Sequence, residues 1–311
     1  MSPKTSRIAA GVAAVLLLTS LAACTEDPPA PAPAPAPSAT AVPEFDVRDE
    51  AAAAVLPLVP AAATSLSVTD LERVRLQLGV ADLTGQAPPA ERARFWARAE
   101  RQAPLLTPGL LRPVEERLAR DYGFTQDDVR WEARFDGPDG AGWVLSFRLG
   151  IDMAVVQRAV RDRVGILAGA EVRAEDSLVV SGAADDGNGS WAADPALAAL
   201  VGSPADATYV ERGCVEAPAG VDTAGLDELE AWSMALQGGL ATARLGELRS
   251  DAFARLRLGE TWPARGTAFT DGFRDGVADP STGRVGYRLI DPVVGASLVR
   301  DRVAPFAACA D

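Results

Sequence analysis

The sequence predicts an α+β fold, with an internal duplication of a helix–β-hairpin–helix unit and a helical insertion in the first half. Three observations predict it. The apolar period changes along the chain: Leu71, Val74 and Leu78 share a helical face, Trp131, Ala133 and Phe135 and then Trp143, Leu145 and Phe147 recur at every second position, and Val155, Val156, Val160 and Val164 return to helical spacing. Short segments of the first half recur in the second in the same order. Residues 44–311 are long enough for one large domain or two lobes, each with its own core.

At the N-terminus, Lys4 and Arg7 precede an apolar run over residues 8–18, and Leu21, Ala22, Ala23 and Cys24 follow. A short positive segment, a short apolar core and small residues before a cleavage point make a secretory signal. The core is shorter than the roughly 20 apolar residues that span a bilayer. The Leu-Ala-Ala-Cys run resembles the lipobox of bacterial lipoproteins, a resemblance confined to residues 1–24. It implies that residues 1–23 are removed and that Cys24 carries a diacylglyceryl group. The protein would then sit on the extracytoplasmic face of the cell membrane. Residues 24–43 form a tether in which Pro28 is followed by alternating Pro and Ala from 29 to 37. Pro has no N–H and a fixed φ, so this run is extended polyproline II at roughly 3 Å per residue.

Residues 44–225 form the first half. The Ala-rich stretch 51–60 is a helix or an extended lead-in, and 65–68 is a strand. Thr69-Asp70-Leu71-Glu72 has the capping-box pattern, which predicts a helix over 70–78 stopped by Gly79. Residues 80–128 read as the helical insertion. Pro89 opens a helix to Gln102 with Phe95 and Trp96 on its buried side, Pro113 opens another to Arg120, and Thr125 with Asp128 caps a turn. The alternating runs around Gly137-Pro138-Asp139-Gly140 predict a β-hairpin. A helix follows over 152–164, then a pair of short strands over 171–181, a turn at 185–189, a short helix from Asp194 to Val201, and a strand over 207–214.

The second half is 226–311. Over 229–248, Trp232, Met234 and Leu236 alternate as in a strand, yet a helix broken at Gly238-Gly239 fits as well. Ser250 is read as the cap of a helix that Gly259 stops. Residues 267–273 and 283–289 suit a hairpin, and Pro292 lies in the first turn of a last helix ending near Arg302.

The repeats carry the duplication. Arg75-Leu76-Gln77-Leu78-Gly79 matches Arg255-Leu256-Arg257-Leu258-Gly259, after Thr69-Asp70 and Ser250-Asp251. Phe147-Arg148-Leu149 matches Tyr287-Arg288-Leu289. Val160-Arg161-Asp162-Arg163-Val164 recurs unchanged at 299–303.

Composition narrows the chemistry. The chain has no histidine, and its one lysine, Lys4, leaves with the signal. That excludes Ser-His-Asp and Cys-His nucleophiles, Schiff bases, a P-loop lysine and histidine zinc sites. The formal charge is −13, and it falls by two more when Lys4 and Arg7 depart, which disfavours nucleic acid as a partner. Cys214 and Cys309 remain, an even pair expected to bridge in an oxidising compartment and pin the C-terminus, with no Cys-x-x-Cys spacing for redox work. Asp185-Asp186-Gly187-Asn188-Gly189-Ser190 is loosely like a calcium loop, but Trp191 and Leu197 stand where glycine and glutamate are needed, so a plain turn is read there. Asp127 and Asp128 are read as caps, and Trp131, Trp143 and Phe147 as either an apolar ligand pocket or core. Arg161 and Arg163 with Arg300 and Arg302 are either an anion site across the seam or solvated faces. No catalytic, cofactor or metal residue is assigned. The expected function is a non-enzymatic binding module of the cell envelope, for a partner protein or a small apolar ligand, with a lipid carrier or a glycosidase-like hydrolase using two carboxylates as the alternatives.

Overall fold

The computed structural model describes residues 42–185, 187–264 and 266–310; the signal segment, Cys24 and nearly all of the tether lie outside them. The frame is a sheet of ten antiparallel strands in the order β4-β5-β3-β2-β1-β6-β7-β8-β10-β9. They are β1 Ser65–Asp70, β2 Val129–Gly137, β3 Gly140–Phe147, β4 Glu171–Arg173, β5 Leu178–Ser181, β6 Ala207–Arg212, β7 Ala231–Gln237, β8 Leu240–Arg244, β9 Phe273–Asp279 and β10 Arg284–Leu289. The helices are α1 Ala51–Ala54, α2 Leu71–Gln77, α3 Pro89–Gln102, α4 Glu115–Tyr122, α5 Met153–Arg161, α6 Pro195–Leu200, α7 Ala252–Thr261, α8 Phe269–Gly272 and α9 Pro292–Arg300. Outward from the β1/β6 junction, the strands appear in matching order on both sides: first, second and third, then fifth before fourth.

Period-two alternation splits the strands' side chains between two faces. On one face Leu66, Val68, Trp131, Ala133, Phe135, Val144, Val180 and Val210 form a core with α1 and with Trp191, Leu197 and Leu200 around α6. The other face carries two cores. Leu145, Phe147 and Val179 pack against α2–α5, and Trp232, Met234, Ala243 and Val285 pack against α8, α9 and Phe306.

Between those two cores the sheet is polar. Thr69 and Glu132 are cross-strand partners there, both wholly buried. They hold residues 105–111, which cross this part of the sheet. The Thr69 hydroxyl accepts from the backbone N–H groups of Leu106 (3.1 Å) and Thr107 (3.0 Å). The Glu132 carboxylate accepts from those of Gly109 (2.8 Å) and Leu110 (3.0 Å) and from the Gln126 amide (3.0 Å), while Gln126 Oε1 accepts from Leu111 (2.7 Å). A segment without secondary structure is buried here because side chains satisfy its backbone donors.

Several expectations need correcting. The α2 cap is Asp70, whose carboxylate accepts from the Arg73 N–H, because strand alternation turns Thr69 toward residues 105–111. Gly259 does not stop α7; the helix runs on to Thr261. A Cβ there would lie 3.2 Å from the Phe269 ring, so the glycine serves close packing. Ser250 donates its hydroxyl to Asp227 rather than capping α7. The ambiguous stretch 229–248 is the β7–β8 hairpin. Residues 267–273 hold the helical turn α8, and the strand begins only at Phe273. The α5 helix ends at Arg161, before Val164. Trp131 lies in the core on one face and Trp143 and Phe147 in a core on the other, so the three do not line one pocket.

The helix ends that carry the repeated sequence are built alike. After α5, Asp162, Arg163 and Val164 donate to the carbonyls of Arg158, Val160 and Ala159. After α9, Asp301, Arg302 and Val303 donate to those of Ser297, Val299 and Leu298. Arg163 and Arg302 both take positive φ, 53° and 58°. Arg75 and Arg255, matched in the repeat, are both wholly buried and donate to backbone carbonyls: Arg75 to Asp127 and Val129, Arg255 to Asp227, Phe306 and Ala308. The strand neighbours differ, however. The strand before α2, β1, pairs with the first strand of its hairpin, β2, whereas the strand before α7, β8, pairs with the second, β10.

The C-terminus is fastened three ways. Cys214 and Cys309 form a disulfide, as the sequence predicts. The Val215 N–H donates to the Ala307 carbonyl, and the Cys309 N–H donates to the Val215 carbonyl. Arg255 ties the carbonyls of Phe306 and Ala308 to Asp251, and neither member of that ion pair is exposed.

Candidate functional site

The site is built at the sheet's far edge. Between α7, α8, β9 and β10 lies a hollow of about 400 Å³, walled by Leu256, Phe269, Phe273 and Tyr287. A β-bulge makes room for it. Gly286 opposes Val277 and Arg288 opposes Arg274, so Asp275 and Gly276 together face the single residue Tyr287. Asp275 takes the left-handed conformation, φ 54°, and its carboxylate holds Arg288 at 2.6 Å from Nε to Oδ2. Gly276 fits closely here, since a Cβ would come within 2.4 Å of Leu256 Cδ1 and 3.0 Å of Tyr287 Cε1 and the Leu256 side chain would have to shift.

The rings form one aromatic cluster. Tyr287 meets Phe269 edge-on at 5.2 Å between centroids, with Phe273 at 5.9 Å and Phe306 at 6.1 Å. The Tyr287 hydroxyl is buried without a hydrogen-bond partner. Burial drives its pKa well above the ordinary phenol value, so it stays a neutral donor and acceptor. At the rim, Glu260 has no ion-pair partner among the described residues, and Arg274 donates only to the Thr270 carbonyl. Aromatic walls with one unmet polar atom bind a ligand by area and orient it by a single hydrogen bond.

A carboxylate pair stands elsewhere. Glu115 and Asp127 share the guanidinium of Arg92. Burial raises both pKa values, and the Asp127 charge adds to the rise at Glu115. Asp127 is wholly buried, with Oδ1 taken by Trp96 Nε1 (3.0 Å) and Oδ2 by Arg92 and Thr125. Asp127 has no surface open to a substrate, and the cluster clamps α3 and α4 to the turn before β2. Asp128 turns the other way, accepting from Gly85 and Thr125, and closes the capping box that the sequence predicts.

Of the other sequence-derived candidates, Cys24 lies outside the described residues. Gly187–Gly189 is a 3-10 turn, and Asp186 is outside the description. Among the described residues no group of three or more His, Cys, Asp and Glu is placed to hold a metal ion, and no helix is long and apolar enough to cross a membrane. Arg302 pairs with Glu211 at 2.6 Å and Arg300 lines a hollow at the seam, while Arg161 and Arg163 are exposed beyond it at the end of α5. Sequence reasoning missed Tyr287, Phe269 and Asp275 as site residues. The one signal was Gly276, an isolated glycine in a strand pattern, which marks a bulge or a close approach. No protein-family model, curated protein or solved structure matches the chain.

Proposed function

We propose that this chain is a lipid-anchored binding module of the cell envelope, tethered through Cys24 on the extracytoplasmic face, that takes a small, largely apolar ligand between α7 and β9. The observation that carries the ligand reading is the buried, unpartnered Tyr287 hydroxyl in an aromatic hollow. A buried hydroxyl left unpaired costs about 1–3 kcal/mol, which a ligand oxygen or nitrogen would recover. The anchor reading rests on the order of charge, apolar core, small residues and cysteine at the N-terminus. The absence of histidine and of any lysine after Lys4 supports binding over catalysis.

The experiment is native mass spectrometry of the full chain extracted from membranes, with Tyr287→Phe and Cys24→Ala beside it. A retained small-molecule mass is expected in the wild type and depleted in Tyr287→Phe, whose ligand-free unfolding midpoint does not fall. Bare protein throughout, or equal retention in both, rejects the ligand. Cys24→Ala is expected to leave the membrane fraction or to stay unprocessed; unaltered retention and mass reject the anchor.

We also infer that residues 44–225 and 226–311 descend from one duplicated helix–hairpin–helix unit. The alike ends of α5 and α9 and the buried pair Arg75 and Arg255 support this. An experimental structure in which α2–β2–β3–α5 and α7–β9–β10–α9 do not superpose would remove that support.

A further inference from the structure

The second hollow lies where the two cores of one face meet. There α3 packs against α9 and encloses about 200 Å³ with the segment that follows α3. Val293, Ala296 and Arg300 recur at helical spacing, so α9 presents all three to it, and Leu105 supplies the apolar wall opposite.

Two groups in this hollow lack partners. Thr107 is wholly buried, and its N–H is used by Thr69, yet its hydroxyl has no hydrogen bond. Arg300 is exposed and forms no ion pair or hydrogen bond among the described residues. The other cation, Arg112, is already committed. It lies 2.7 Å from the Glu100 carboxylate and 4.5 Å over the Trp96 ring. The hollow therefore carries one net positive charge in a strongly acidic protein. The end of α9 does not supply that charge, because a helix C-terminus is the negative pole. Its carbonyls at 297–299 are in any case taken by the N–H groups of residues 301–303.

We propose that this seam hollow is a binding site for a short-chain carboxylate. The carboxylate pairs with the Arg300 guanidinium and accepts the Thr107 hydroxyl, and the alkyl chain lies along Leu105, Val293 and Ala296. One guanidinium matches a singly charged, planar, bidentate acceptor. Phosphate would call for a second free cation, and Glu100 has taken it. The hollow, about 200 Å³ and open to solvent, admits an alkyl chain of a few carbons, and pentanoate is a probe of that class. The site joins the insertion to the second half, so its ligand would fasten the seam. It is independent of the Tyr287 hollow, and either reading stands if the other falls.

The test is calorimetric titration of the full chain with pentanoate, against pentan-1-ol, pentylamine and inorganic phosphate, with amide exchange as a second readout. Pentanoate is expected to bind and to slow exchange over 105–111 and 293–303. Arg300→Gln, on an exposed side chain, is expected to weaken it about tenfold or more. Thr107→Val is expected to weaken it several-fold with a ligand-free melting point that does not fall, and Thr107→Ser to restore it. No pentanoate binding, equal binding of pentan-1-ol or phosphate, or undiminished affinity in Arg300→Gln overturns the proposal.

Discussion

Asp70 shows how burial turns an ordinary helix cap into a titrating group. Its carboxylate accepts the Arg73 N–H at 2.9 Å, but burial pushes its pKa from 3.8 up to about 6. Burial likewise raises Glu115, Asp127, Asp206 and Glu211. In each case the folded state holds its proton more tightly than the unfolded chain. The stability this contributes is complete below the unfolded value and is lost as pH rises through the folded one, about 6 for Asp70. Asp251 is the counterweight. Burial alone would raise it, but Arg249, the Asp227 N–H and Arg255 together hold it below the usual carboxylate range. Its contribution is therefore lost only in stronger acid. Urea denaturation should show unfolding free energy rising from about pH 7.5 to about pH 5, and Asp70→Asn should flatten that slope. A profile that falls over this window, or one that Asp70→Asn leaves unchanged, contradicts the argument. The capping pattern at 69–72 was readable in the sequence. That Asp70 caps and Thr69 crosses to another segment was not, because strand direction decides which side chain faces the helix.

The insertion depends on Glu132 as much as on its own helices. Its helices were legible, since Pro89 opens one and Pro113 stands in the turn that leads into the other. The connecting segment 105–111 has no periodicity, and its order comes from partners far along the chain, Thr69, Gln126 and Glu132. Glu132→Gln places an amide donor against N–H groups that need an acceptor, a loss of about 1–3 kcal/mol or more. Amide exchange should then accelerate at Gly109 and Leu110 before it does in β7 and β8. Uniform acceleration would mean that the insertion has no stability of its own to lose. In the second half the same kind of dependence misled the sequence reading. Gly259 reads as a stop but is a packing glycine, and α8 forms where alternation suggested a strand, because the aromatic cluster needs Phe269 folded back over Tyr287.

The sheet is continuous across the β6/β7 pair, so residues 44–225 and 226–311 share one hydrogen-bonded frame. The bridge between Cys214 and Cys309 closes a loop with a separation of 95 residues. In the chain-entropy view such a loop stabilises the fold by about 4–5 kcal/mol. Reduction should lower the melting temperature by roughly 8–15 °C for a chain this long and should free the last residues first. An unchanged midpoint would mean that Arg255 and the Val215 pairing hold the terminus alone. By itself the sequence determined the mixed fold, the first hairpin, the helices α3 and α4, the disulfide partners and the absence of histidine and of any lysine after Lys4. All of these follow from local periodicity, composition or counting. Tertiary structure alone decided the strand order, the polar strip beneath residues 105–111 and both hollows. Each depends on residues dozens of positions apart meeting across the sheet. Tyr287 and Phe147 each precede an Arg-Leu pair and differ by one oxygen, and only packing reveals that this oxygen is buried without a hydrogen-bond partner among the described residues.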